Sequence, residues 1–190
     1  KCWTPEKSLE MTPANKKRSE PEKLALWHSQ GYLDTTPGAV TNYDVIREFI
    51  SGYNAEEDDY TGESIDDLCD IRQIFYDRHR AGRLSSELEE QDSINVKPFA
   101  QTCSSMHDPM TELMKMVVGQ QINVGANALL DANILAISTA MNTGGEIKPD
   151  KSNTKTKIDA GVALINAMAA WMDDGSDMDS NTGYTFLAVG

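Results

Sequence analysis

Two aspartates sit where a carboxylate is hard to explain as decoration. Asp77 closes the apolar run Ile71-Arg72-Gln73-Ile74-Phe75-Tyr76, and Asp159 opens an apolar helix just after Lys155, Thr156, Lys157 and Ile158. A charge at the edge of an apolar element is unfavourable unless it is paired, hydrogen-bonded or used. Carboxylates brought together from separate elements can hold Mg²⁺ or Mn²⁺ with open positions. Two such ions about 3.5 to 4 Å apart stabilise both the attacking and the leaving oxygen of a phosphodiester displacement. The spacing leaves a second reading open, in which Asp77 is a turn residue at a strand end and Asp159 a helix-start charge favoured by the dipole.

Other chemistries find less support. There is no Gly-x-Ser-x-Gly elbow, and His28, His79 and His107 have no partner pattern, which fits surface or capping roles. Neither Gly-x-x-x-x-Gly-Lys-Ser/Thr nor Gly-x-Gly-x-x-Gly occurs, so no loop is built to cradle the phosphates of ATP. Cys2, Cys69 and Cys103 are odd in number and far apart, and read as reduced thiols rather than disulfides or a zinc site. Asp177-Met178-Asp179-Ser180-Asn181 begins like a calcium loop, but Thr182 and Ala188 stand where Gly and Glu are needed. Arg78, His79 and Arg80 could touch a phosphate, although solvated surface accounts for them better.

The chain has 190 residues, 39% hydrophobic and 25% charged, the composition of one globular domain. No apolar run approaches the roughly 18 residues of a membrane span, and Lys1 to Glu10 lacks the apolar stretch of a signal peptide, so no membrane and a cytoplasmic location are expected. With 17 Lys plus Arg against 30 Asp plus Glu, the net charge is −13. Charge alone argues against nucleic acid, which is held by phosphate neutralisation. The acid is clustered, from Glu56 to Asp70 and again at Asp173, Asp174, Asp177 and Asp179, as solvated faces usually are.

These residues need elements to position them. Lys1 to Lys23, with Pro5, Pro13 and Pro21 and no sustained periodicity, predicts an extended or irregular segment. Gly31, Pro37 and Gly38 punctuate a turn-rich piece ending at Asn42, the N-cap of a helix carrying Ile46, Phe49, Ile50 and Tyr53 and stopping near Gly52. Ile71 to Tyr76 reads as a buried strand, Arg80 to Gln91 as a helix with Leu84 and Leu88 inward, and Ile94 to Phe99 as a second strand. Strand, helix and strand make a βαβ unit with parallel strands and functional side chains at their C-terminal ends, where Asp77 lies. Asp108-Pro109 predicts a helix start, with Met110, Leu113, Met114 and Val117 as a buried face that suits a core rather than a cofactor box. Asn127 to Asp131 predicts a helical turn and Ile134 to Ser138 a strand, before the turn region of Gly144, Gly145 and Pro149. The last strong helix begins near Lys157, with Ile158, Val162, Ile165, Met168, Ala169 and Met172 at intervals of three and four, and Tyr184 to Val189 reads as a final edge strand.

Taken in order, four pieces of this chain resemble the C-terminal nuclease domain of the large terminase subunit, the DNA-packaging motor of tailed bacteriophages. Cys2-Trp3-Thr4-Pro5-Glu6 is similar to the family's Trp-x-Pro-Glu strand end. Trp27 to Leu33, followed by Thr36-Pro37-Gly38, is similar to its Trp-x-x-x-Gly-x-Leu and Pro-Gly segment. Ile74-Phe75-Tyr76-Asp77 resembles the strand bearing the second acid. Lys148-Pro149-x-Lys151 and Lys157 to Ala167 resemble the family's Lys-Pro-x-Lys and Lys-Ile-Asp ending. Relatives commonly carry a His and an Asn-Pro where Gln121 to Ala128 lies, and here Asn123 and Ala128 stand instead.

The resemblance implies an α/β, RNase H-like mixed sheet flanked by helices, in which metal-bound carboxylates cut concatemeric phage DNA to genome length during packaging into the procapsid. Asp77 would be the second acid and Asp159 the third, each a ligand of Mg²⁺ or Mn²⁺ in a two-metal site, with water as the nucleophile. The family's first acid lies on a strand upstream of Trp-x-Pro-Glu. Residues 1–190 are therefore expected to be an N-terminally truncated nuclease domain, lacking that strand and the preceding ATPase domain. Partners implied are double-stranded DNA, the terminase small subunit, the portal protein and the ATPase domain of the same subunit, in the host cytoplasm at the procapsid portal. The competing expectation is a non-catalytic docking module of the motor, with both aspartates structural.

Overall fold

The structure is a computed structural model that describes residues 1–18, 20–60, 64–78, 81–152 and 157–175. The expected strand at Tyr184 to Val189, the calcium-like tail, and His79, Arg80, Lys155 and Thr156 lie outside the described residues. Among the described residues no helix is long and apolar enough to cross a membrane.

The first strand, β1 (Trp3–Pro5), pairs in parallel with β2 (Asp34–Thr36), Trp3 opposite Asp34 and Pro5 opposite Thr36. Between them run a 3-10 turn (Glu6–Leu9), α1 (Pro13–Arg18) and α2 (Pro21–Ser29). The segment expected to be irregular therefore contains helix. Pro13 and Pro21 each open one, because proline has no N–H to lose at a first helical position and its φ is already helical. His28 Nδ1 donates to the Leu33 carbonyl at 2.9 Å and so ties the end of α2 to β2, a structural role.

α3 (Tyr43–Ser51) starts where expected: Asn42 Oδ1 accepts the Asp44 N–H at 2.9 Å, and Gly52 ends the helix at φ 79°. β3 (Tyr53–Asn54) and β4 (Asp59–Tyr60) form an antiparallel pair, and α4 (Ile65–Leu68) carries a capping box between Ser64 and Asp67. Then β5 (Ile74–Tyr76), α5 (Gly82–Glu90) and β6 (Val96–Pro98) make the expected parallel unit, Ile74 opposite Val96 and Tyr76 opposite Pro98.

The C-terminal third departs further from expectation. α6 (Cys103–Val118) begins at Thr102, whose Oγ1 accepts the Ser105 N–H at 3.2 Å, and it runs through Pro109 rather than starting there. Its buried face is Met106, Pro109, Met110 and Met116, whereas Met114 and Val117 are exposed, because the helix turns that face toward β8 and α8. α7 (Ala128–Leu135) absorbs Ile134, since Asn127 Oδ1 accepts from both Leu129 and Leu130 N–H and starts a full helix. β7 (Ser138–Met141) and β8 (Ile147–Asp150) form a hairpin whose turn is Asn142 to Gly145. Pro149 lies within β8, tolerated because a two-stranded ribbon leaves an edge that needs no N–H. α8 (Asp159–Asp174) completes the described fold.

The mixed α/β class holds, but the described strands form four separate two-stranded sheets instead of one continuous mixed sheet. The two parallel pairs do not hydrogen-bond to each other, because a cleft lined by Trp3, Thr4 and Pro5 as well as by Ile74, Phe75 and Tyr76 separates β1 from β5. Three apolar clusters hold the layers. Ile46, Ile50, Leu84, Leu88, Ile94 and Val96 join α3 and α5 to β6, with Trp3 and Ile74 packed on them. Leu24, Leu33, Leu129 and Ala160 join α2, α7 and α8, and Met106, Met110 and Ile165 join α6 to α8.

One buried ion pair ties α3 to the loop after α5. Arg47 Nε and Nη2 donate to the two oxygens of Asp92 at 2.8 and 2.6 Å, with side-chain exposures of only 6% and 0%. Tyr60 Oη donates to Asp92 at 2.8 Å, and the guanidinium lies 3.8 Å over the Tyr53 ring. Burial pushes the Asp92 carboxyl up, but the donors from Arg47, Tyr60 and Ser51 outweigh it and hold the group below its ordinary value. A depressed carboxyl stabilises the fold above the unfolded-state value of about 4 and stops doing so as pH falls through the folded one. Asp92→Ala is expected to lower stability by about 3 to 5 kcal/mol at pH 7, since it strands Arg47. Urea unfolding followed from pH 7 to 3 should show the gap to wild type shrinking below about pH 4.

Candidate active site

Asp77 takes its place from β5. Ile74 N–H donates to the Asn95 carbonyl at 2.9 Å and Phe99 N–H to the Tyr76 carbonyl at 2.8 Å, while Phe75 stacks on Phe99 with centroids 5.2 Å apart. The ladder is thus pinned up to the residue before Asp77, whose half-buried side chain faces the cleft where the strand ends.

Asp159 is placed by a different device. It is the first residue of α8, and the residue before it, Ile158, has no side-chain oxygen with which to satisfy the first turn. Asn133 of α7 does this instead: its Oδ1 accepts the buried Ala160 N–H at 3.1 Å, and its Nδ2 donates to the Leu129 carbonyl at 3.0 Å. At the next position the helix runs close to Ile137. A Cβ on Gly161 would lie 2.7 Å from Ile137 Cδ1, so the segment after α7 passes close against the first turn of α8. Asp159 itself stays exposed, and its negative charge adds to the rise in the Cys2 thiol that burial mainly causes, which sets it beside the start of β1.

The two aspartates line the same cleft, about 970 Å³ in volume, from opposite elements. Its floor is the apolar cluster of Ile46, Ile50, Leu84, Leu88 and Val96, and Lys148, Asp150, Lys151 and Lys157 also line it. Asn166 lies on the wall two turns along α8 from Asp159, its Oδ1 buried and without a hydrogen-bond partner among the described residues. Asp77 and Asp159 are hard oxygen donors of the kind Mg²⁺ or Mn²⁺ takes. Among the described residues no three His, Cys, Asp or Glu side chains are gathered so as to hold a metal ion.

The four segments singled out in the sequence meet in space. Glu6 Oε1 accepts the Gly38 N–H at 2.9 Å, and Lys7 N–H donates to the Gly38 carbonyl at 3.2 Å, joining Trp3-Thr4-Pro5-Glu6 to Thr36-Pro37-Gly38. Gly38 holds φ 93°, which a side chain would oppose. Trp3 packs edge-on against Phe49, 5.0 Å between centroids. The loop of Asn123 has a local structural role, its Oδ1 accepting the Gly125 N–H at 2.9 Å, and His107 Nδ1 accepts the Ile147 N–H at 3.3 Å, a contact between α6 and β8. Nothing near Asn133 in sequence announces that it caps α8. Asn166, by contrast, carries a visible signal, a lone amide seven residues after Asp159 in an otherwise apolar helix.

The class follows from the match to a family. The chain belongs to the terminase large subunit endonuclease domain family, whose model matches residues 11–174. Among individual proteins it is similar to Protein YmfN of Escherichia coli (strain K12), 25% identical over 173 residues, which are 90% of this chain and 35% of that protein. It is similar also to the large terminase subunit of Enterobacteria phage HK97, 24% identical over 169 residues, 88% of this chain and 30% of that one. The crystal structure of the HK97 bacteriophage large terminase shares the fold, with a TM-score of 0.66 at 22% identity, over 88% of this chain and 32% of that chain. The chain thus spans about a third of the length of the relatives it matches.

Because a buried amide on α7 sets the start of α8, Asn133→Ala is expected to cost about 1 to 3 kcal/mol by leaving the Ala160 N–H buried and unpaired. Hydrogen exchange should show the Ala160 amide losing protection first, ahead of the middle of α8.

Proposed function

We propose that this chain is the DNA-cutting domain of a packaging motor, a divalent-metal-dependent endodeoxyribonuclease that trims concatemeric phage DNA to genome length as it enters the procapsid. The observation that carries this reading is the convergence of Asp77 and Asp159 on one cleft in a chain of the terminase endonuclease family. Asp77, at the end of β5, and Asp159, at the start of α8, would hold Mg²⁺ or Mn²⁺. When bound there, such an ion supplies positive charge at the phosphate being cut. The rest falls to the chain's own groups. The pinned ladder of β5 and β6 keeps Asp77 in place, the Asn133 bond keeps Asp159 in place, and the Asn166 amide oxygen offers an acceptor on the same wall.

An RNase H-like sheet fits the same cleft. One extended strand between β1 and β5 would join the two parallel pairs into a mixed sheet and cover the apolar floor, and such a strand is where the family carries its first acid. The partners of this reading are double-stranded DNA, the terminase small subunit, the portal protein and an ATPase domain of the same subunit, in the host cytoplasm at the portal.

The test is plasmid cleavage by the intact protein in Mn²⁺. Asp77→Asn and Asp159→Asn, which keep the side chain's size and shape, are each expected to abolish cutting while retaining the circular dichroism spectrum and cooperative unfolding of the wild type. Cutting retained by both variants would leave the docking role as the better account.

A further inference from the structure

The described cations of this chain divide by location. Away from the cleft they are almost all neutralised: Lys1 meets Asp34, Lys97 meets Asp173, Lys115 meets Glu112, and Arg83 meets both Asp44 and Glu87. Arg72, which does line the cleft, is held by Asp70 and Asp174. Lys148, Lys151 and Lys157 are different. All three line the cleft that holds Asp77 and Asp159, and among the described residues none of them makes an ion pair. Among the residues whose side chains are described, Lys7 and Arg78 also have no ion pair, and Arg78 directly follows Asp77.

This pattern is not what charge balance predicts. With 30 carboxylates for 17 cations, a lysine finds an acid wherever geometry allows, and carboxylates line this cleft too. Lys148, Lys151 and Lys157 thus stand in the cleft without an ion pair among the described residues, interleaved with its aspartates, and the Ser152 hydrogen bonds, helped by nearby Lys148, hold the Asp150 carboxyl below its ordinary value. A flexible ammonium is a point charge suited to phosphate oxygens, and phosphate contacts set register without reading sequence.

We propose that Lys148 and Lys151 at the end of β8, with Lys157 just before α8, form a backbone track that contacts successive phosphates of double-stranded DNA and lays the strand across Asp77 and Asp159. These are positioning residues. The inference rests on the endonuclease reading for its ligand, and adds which side of the cleft the duplex enters.

The test is binding of a fluorescent duplex of mixed sequence to the intact protein, in EDTA so that nothing is cut, across a salt series. Each lysine neutralised should remove about one phosphate contact. The triple change Lys148→Gln, Lys151→Gln and Lys157→Gln should therefore flatten the slope of log affinity against log salt by roughly 2.7. Lys7→Gln, an unpaired cation off the cleft, should leave the slope unchanged, and returning arginine at all three positions should restore it. An unchanged slope in a triple variant with wild-type circular dichroism would overturn the track, as would duplex binding too weak to measure in the wild type at low salt. The two readings fail separately. Loss of cutting in Asp77→Asn with an unaltered lysine slope sinks the track alone, whereas a flattened slope with cutting retained by both aspartate variants sinks the endonuclease reading and leaves the track.

Discussion

The bond from the Ala160 amide to Asn133 Oδ1 decides where α8 begins, and much of the molecule is arranged around α8. Nine of its sixteen residues are buried, so it is enclosed on nearly every side rather than laid on a surface. It packs against α6, α7 and β5, and through them reaches two of the three apolar clusters. A helix so enclosed has unsatisfied first-turn amides that water cannot reach, which is why a buried side chain from another helix must supply the acceptor. The same contact holds Asp159 at the mouth of the cleft. One amide thus satisfies the start of α8 and fixes the place of Asp159.

Charge is distributed by a similar economy. The chain carries far more acid than base, and most described cations are consumed in neutralising it, at the surface by ion pairs of small individual worth and in the interior by the Arg47–Asp92 pair. Among the described residues, Lys148, Lys151 and Lys157, which have no ion pair, line the cleft. Net charge is therefore a poor guide to the local field, which acts within a Debye length of about 8 to 10 Å and at the cleft is set by lysines and aspartates together.

The cleft exists because two parallel strand pairs face each other without joining. β1 is held by Trp3 against Phe49 and by the bonds between Glu6, Lys7 and Gly38, whereas β5 is held by β6 and α8. Each pair is thus anchored from behind, by helices and turns, and neither depends on the other across the gap. Strand edges over an apolar floor are a shape that accepts a further strand, since an edge offers its N–H and C=O groups for pairing.

Much of the fold was legible one element at a time. Asn42 and Gly52 bracket α3, Leu84 and Leu88 mark the inner face of α5, the βαβ order sets β5 parallel to β6, and the three-and-four spacing from Ile158 onward marks α8. Where local rules competed, reading by element failed: Thr102 outranked Asp108 as the start of α6, and Asn127 drew Ile134 into α7. Asp77 and Asp159 could be singled out because a carboxylate bordering an apolar run shows in one dimension, and the four family segments could be matched because each is local. Tertiary structure alone decided that Asn133 caps α8, that Glu6 binds Gly38, that both aspartates line one cleft, and that Lys148, Lys151 and Lys157 line it with them. The physical reason is common to all four. Each depends on which residues distant in sequence come within hydrogen-bonding or Coulombic reach, and periodicity, capping and turn chemistry act only across a few neighbouring residues.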